Sequence, residues 1–242
     1  APGFAAVLSW VLLREPIANP LNLIGVLATI RIARGPSRSS IVLAGLAIGF
    51  SALLRPQVLA VVPFFAAWLL LPSNLGGPRV GWKRVLAFVA LVAAPILPIT
   101  AYNFFVGGDV LLVSGEAGQG LWIGNHPGAD GVTPIAPGMR ADFWGSDEDT
   151  RALAEIEAGR RLRPSEVSSH YVAKMLAWIR GDPAAAARLF LSKLRIFWTD
   201  WEFGNPEEPR FFAYRFAPIS KWLPLSFGFV AALAAAGLVL GG

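Results

Sequence analysis

Cysteine is absent from this chain of 242 residues, so disulfides and thiolate metal sites are excluded and the redox compartment is left open. Charge is scarce. Charged residues make up 15% of the chain, where a soluble domain carries about 25%. Acidic residues are missing altogether between Glu15 and Asp109. Histidine occurs twice, at His126 and His170, and neither has a neighbouring His or Cys at metal-ligand spacing. No phosphate-binding glycine loop, dinucleotide fingerprint or Ser-His-Asp order is found. The chain begins at Ala1 with no basic stretch before its first apolar run, so it does not start like a signal peptide. It reads as a piece of a longer membrane protein.

What is present is apolar surface. Hydrophobic residues are 55% of the chain, and mean hydropathy is +0.54. The net charge of +5 does not point to nucleic acid, because the basic residues sit in short groups beside apolar runs, as membrane orientation requires. Five segments are expected to span: Ile17–Ile32, Ser40–Leu54, Gln57–Leu71, Trp82–Tyr102 and Ile219–Leu240. Pro2–Leu13 is a further apolar piece, the tail of a preceding helix or a re-entrant segment. The loop with Arg31, Arg34 and Arg38 and the loop with Arg79, Lys83 and Arg84 contain no acid, which places both in the cytoplasm. Every acid except Glu15 lies between Asp109 and Glu208, in a region expected on the opposite face. The expected division is residues 1–102 as a bundle of about four spans and a partial helix, 103–218 as an extracytoplasmic domain, and 219–242 as a last span.

Within that domain, Asn103–Trp144 is rich in Gly and Pro and reads as loop with short extended pieces at Val110–Val113 and Leu121–Ile123. Three helices follow. The first starts at Ser146-Asp147-Glu148-Asp149 and runs to about Arg161. The second starts at Pro164 or Ser165 and puts Val167, Tyr171, Lys174, Met175 and Trp178 on one face. The third, Ala184–Trp198, is capped from Gly181-Asp182-Pro183, and its apolar face and basic flank suit the membrane interface or the bundle.

Arg55 stands out among the candidate site residues. With Pro56 it interrupts the apolar run from Ile41 to Leu71. A guanidinium at a helix centre in lipid costs roughly 2.5–3.5 kcal/mol. Pro56 also disfavours helical geometry at Arg55. Two spans meeting at a polar turn fit better than one helix with a defect, and the turn then lies at the outer face. Arginine grips phosphate oxygens in pairs, so Arg55 is a phosphate-binding candidate, against the plainer role of an anchor at a helix end. Glu15 and Gln57 join it as cavity candidates, although Glu15 also suits a helix start. Tyr102 and Asn103 close the fourth span on the same face, where an aromatic belt and a helix cap are the plainer roles. Asn125 and His126, in Gly124-Asn125-His126-Pro127, are further cavity candidates or simply a turn.

These pieces resemble, in order, the GT-C membrane glycosyltransferases of the dolichyl-phosphate-mannose-protein mannosyltransferase type, which include bacterial aminoarabinose transferases. The resemblance is carried by Glu15 before a span, by Gly45-Leu46-Ala47-Ile48-Gly49 leading to Leu54-Arg55-Pro56, and by Pro98–Asn103 with Gly120-Leu121-Trp122-Ile123-Gly124-Asn125. Ala177–Pro183 running to Lys193–Trp198 completes it. It implies an all-α polytopic membrane protein, a GT-C-like transmembrane helix bundle with a mostly helical outer domain, in a bacterial inner or cell membrane. The implied activity is transfer of a sugar from a polyprenyl-phosphate donor to a glycan, lipid or protein acceptor. The implied catalytic Asp belongs to an outer loop upstream of Ala1, so residues 1–242 alone are expected to be inactive. His126 stands where the family more often has a second Asn. No cofactor is firmly implied, and a divalent metal is left open. Two other readings compete: a polysaccharide polymerase or ligase, expected to concentrate Arg and His in the outer loop, and a non-catalytic transport subunit, expected to show paired repeats.

Overall fold

The structure is a computed structural model that describes residues 15–71, 79–140, 143–199 and 227–241, all helix and connecting loop with no strand among them. The chain divides into two compact units, Ala1–Gly115 and Glu116–Gly242. The expected pieces Pro2–Leu13 and the start of the last span at Ile219 lie outside the described residues.

In the first unit, α1 (Glu15–Arg34) and α2 (Arg38–Leu54) form the central pair. Ser37 caps α2, its Oγ accepting from Ser40 N at 3.1 Å. α2 is buried along Ile41, Ala44, Gly45, Ile48, Ser51 and Ala52, a helical repeat of small and branched residues. Past Arg55 the chain continues as a 3-10 turn, Pro56–Val61, and then α3 (Val62–Leu70). Next come α4 (Trp82–Ala93), which buries Val85, Phe88 and Val92, and α5 (Leu97–Phe105). The core joins Ala28 and Ile32 of α1, Ile41 and Ile48 of α2, Leu69 of α3 and Phe88 of α4.

The tight packing of α2 on α4 comes from a glycine pair one turn apart. A Cβ at Gly49 would stand 2.5 Å from the Val92 carbonyl oxygen and 3.0 Å from the Pro95 ring; at Gly45 it would press on the Phe88 carbonyl at 3.0 Å. Small residues at this spacing let two helices meet backbone to backbone. The Gly45–Gly49 segment, which the sequence singled out for its resemblance, is therefore a packing device.

The expected span Trp82–Tyr102 is not one straight helix. It is two helices bent by 54° at Ala94–Ile96. Pro95 and Pro98 explain the break, since each lacks a backbone donor and crowds the carbonyl four residues earlier. No single described helix is both long and apolar enough to cross a membrane; α4 and α5 pass that test only as a bent pair.

The second unit contains α6 (Ala117–Gly124), α7 (Phe143–Ala158), α8 (Pro164–Gly181) and α9 (Pro183–Phe197). α10 (Phe227–Gly241) follows, uncharged and largely exposed. Trp122, Met139, Leu162, Val167 and Tyr171 form the core, with Met175 and Trp178 against it. Tyr171 donates its hydroxyl to Thr150 O at 2.8 Å. α8 starts with the Glu166 carboxylate reaching back, its Oε2 accepting from Arg163 N at 2.8 Å.

Leu121–Ile123, expected to be extended, lies inside α6. Glycine is a poor helix former, yet Gly118 is what α6 requires. A Cβ there would collide with the Ser168 carbonyl of α8, and Gly118 N donates to Ser168 Oγ at 2.9 Å. Close packing outweighs local preference. The helix expected to open on Ser146-Asp147-Glu148-Asp149 starts instead at Phe143, and Glu148 and Asp149 hold Arg140 from its side. Arg140 reaches Glu148 at 2.8 Å and Asp149 at 3.0 Å.

Candidate functional site

The break at Arg55 is built from backbone rules. α2 ends there with Arg55 at φ −140° and ψ 86°, outside helical geometry, as expected for a residue before proline. Arg55 N donates to Ser51 O at 2.8 Å, and Arg55 O accepts from Val58 N at 3.1 Å, so one residue ends α2 and opens the 3-10 turn. Ser51, fully buried, donates its hydroxyl to Asn22 Oδ1 of α1 at 2.6 Å. This side-chain bond between apolar helices ties the end of α2 to α1. Arg55 is half-buried and Gln57 beside it is exposed. A guanidinium carries forked donors whose geometry suits a phosphate or carboxylate.

Asn22 and Ser51 were not singled out by sequence. Their signal was available, since both are polar residues inside apolar runs and Ser51 stands one turn before Arg55.

Tyr102 is 63% exposed near the end of α5. Asn103 faces inward and holds the following loop, Nδ2 donating to Leu111 O at 3.3 Å and Val113 O at 3.2 Å. Thr100 Oγ1 adds a bond to Leu112 O at 2.7 Å. These bonds fold residues 106–115 back onto α5, and the first unit accordingly extends to Gly115. Glu15 is the first residue of α1; its side chain lies outside the description.

Asn125 and His126 belong to the second unit. Asn125 Nδ2 donates to Leu121 O at 2.8 Å, and its Oδ1 accepts from Lys193 Nζ at 2.9 Å. Lys193 also donates to Gly124 O. Loss of water around the ammonium lowers the Lys193 pKa. His126 is buried, with Nε2 donating to Ile135 O and Nδ1 accepting from Gly128 N, each at 3.1 Å. Both ring nitrogens thus brace a loop, and Trp122 lies against the ring at 5.7 Å between centroids. Lys193 was also missed by sequence, where it reads as one more basic residue on an amphipathic helix.

A third group surrounds Glu157, which bonds Lys174 Nζ and, at 3.0 Å, His170 Nε2. The Lys174 bond is the main reason the Glu157 pKa is lowered. Lys174 also lies over the Trp122 ring at 5.2 Å. Glu166 is held down to about 2 by the Arg160 side chain and the Arg163 backbone.

No family model matches this sequence, and no curated protein or solved structure matches it.

Proposed function

We propose that this chain is part of an integral membrane glycosyltransferase and that Arg55 grips the phosphate of a polyprenyl-phosphate-linked sugar. The observation that carries the reading is a half-buried arginine at the non-helical break after α2, in the middle of an apolar run. A phosphate is the anion a membrane supplies in quantity, and the guanidinium matches its geometry.

The outward surface of the first unit supports a lipid setting. Leu23 (60% exposed), Leu27, Phe50, Phe64 (74%), Leu70 and Leu86 stand on the faces of α1–α4 turned away from the core. In water so much open apolar surface is a liability. In lipid it is the ordinary exterior of a bundle. The order of motifs that resembles the polyprenyl-phosphate sugar transferases supplies the reaction class.

The step is an inverting displacement. An acceptor hydroxyl attacks the anomeric carbon as the carbon–oxygen bond to the phosphate breaks. A general base takes the hydroxyl proton, and the bonding pair leaves on the phosphate. Arg55 stabilises the charge that grows on that leaving group.

The test is Arg55→Ala in the full-length protein, beside Arg55→Lys, with membrane insertion checked for each. The expected result is a loss of transfer of about 100-fold for the alanine variant, the size of losing one charge-stabilising donor. Lysine, lacking the fork, recovers only part. Unchanged donor binding and transfer in Arg55→Ala would reduce Arg55 to an anchor.

A further inference from the structure

α9 is built inside out for a helix that meets water. The side turned into the second unit carries Ala185, Ala186, Leu189, Lys193 and Ile196, buried or half-buried. A charged residue is thus spent on the inside, where Lys193 clasps Gly124 O and Asn125 Oδ1. The outer stripe is Phe190, Leu194 and Phe197, at i, i+4 and i+7, which are 63%, 45% and 62% exposed. The next stripe alternates Arg188, Leu191, Arg195 and Trp198, all exposed. No acid occurs from Pro183 to Trp198; Asp182 just before it is occupied as the N-cap, accepting from Ala185 N at 2.9 Å, and the next acid in sequence is Asp200.

We infer that α9 is an interfacial helix that lies on a membrane leaflet, with Phe190, Leu194 and Phe197 among the acyl chains and Arg188 and Arg195 on anionic lipid phosphates. The occupant follows from charge and shape. An apolar stripe bordered on one flank by arginines and free of acids matches an anionic headgroup layer above hydrocarbon. A protein partner would need an acidic rim beside an apolar groove to do the same. Trp198 at the helix end suits the headgroup level. This inference does not depend on phosphate binding at Arg55.

Because the chain has no cysteine, single cysteines can carry an environment-sensitive dye in the full chain. The chain is reconstituted in vesicles of phosphatidylcholine with phosphatidylglycerol. Dyes at Phe190→Cys and Leu194→Cys are expected to be quenched by nitroxide-bearing lipids and shielded from aqueous iodide. Ser192→Cys, on the exposed flank away from the apolar stripe, is expected to show the reverse. Replacing both arginines (R188Q/R195Q) should weaken the dependence on anionic lipid by about fivefold per arginine, with little change in pure phosphatidylcholine. Iodide quenching at 190 and 194 equal to that at 192 overturns the inference in favour of open water. Protection from both quenchers overturns it in favour of a protein surface, the first unit included. A dye at Phe64→Cys reports separately on α3, so failure of α9 to meet lipid is distinguishable from failure of the first unit to do so.

Discussion

The two units are both helical, yet they are held together by opposite means. In the first, helices meet through small residues and branched aliphatics. Its one described hydrogen bond between side chains of different helices is Ser51 to Asn22. In the second, Arg140, Arg160 and Lys174 each hold acids, and Glu166 accepts from the Arg163 backbone at the start of α8. The first leaves apolar side chains on its outside, while the second covers itself with charge except along α9 and α10. The contrast teaches that helix content alone says little about the surrounding medium. What differs between the units is which side chains are left outside and which polar groups are kept within.

The sharpest way to break the contrast is to disturb the backbone contacts that both units share. Gly118→Ala drives a methyl into the Ser168 carbonyl, which belongs to a helix and cannot swing aside. The expected cost is about 3 kcal/mol, the upper end for overpacking, read as a lower unfolding midpoint by circular dichroism. Gly49→Ala in the first unit meets the Val92 carbonyl at 2.5 Å and should cost less, about 1–2 kcal/mol. If Gly118→Ala unfolds like the parent, the close crossing of α6 and α8 is not what holds the second unit.

A smaller effect compares one polar bond from each unit. Tyr171→Phe removes the buried bond to Thr150 O and is expected to cost about 1 kcal/mol. Ser51→Ala removes the bond between α1 and α2 and, on the proposed lipid setting of the first unit, should cost about 0.6 kcal/mol. A cost for Ser51→Ala well above that of Tyr171→Phe would reverse the ranking.

The smallest effect is acid sensitivity. The Glu166 carboxyl is depressed from 4.5 to about 2 in the fold, and Glu157 is lowered too. A depressed carboxylate contributes stability that is complete above its unfolded pKa and lost as pH falls through the folded one. The second unit should therefore soften between about pH 4.5 and 2, by a modest amount because these pairs are exposed. Hydrogen exchange in α8 and α2, measured across that range, checks it. Equal loosening of α2 would count against the contrast.

Sequence reading succeeded where the cause is local. The end of α2 at Arg55-Pro56 follows from the proline rule. The start of α9 follows from Asp182 before Pro183, and the inner face of α8 from the spacing of Val167, Tyr171, Met175 and Trp178. It failed where the cause is distant. Glycines in α6 looked like loop because the Ser168 carbonyl that requires Gly118 lies on another helix. Lys193 looked like surface because Asn125, its partner, is 68 residues away. The break between α4 and α5 is a different failure. Pro95 and Pro98 were in plain view, but hydropathy summed over the segment hid them.

Helices that meet through glycine have no side-chain cushion between them, so a displacement of one is handed on instead of absorbed. Gly49 lies against Val92 and the Pro95 ring, where α4 gives way to α5, and Ser51 lies half a turn further along α2. The bend at 94–96 and the opening at Arg55 are thus joined mechanically. Rocking of α5 about its proline pivot would press on the rod that ends at the arginine. Two discontinuities that look like separate interruptions of helix thus flank one glycine-packed crossing.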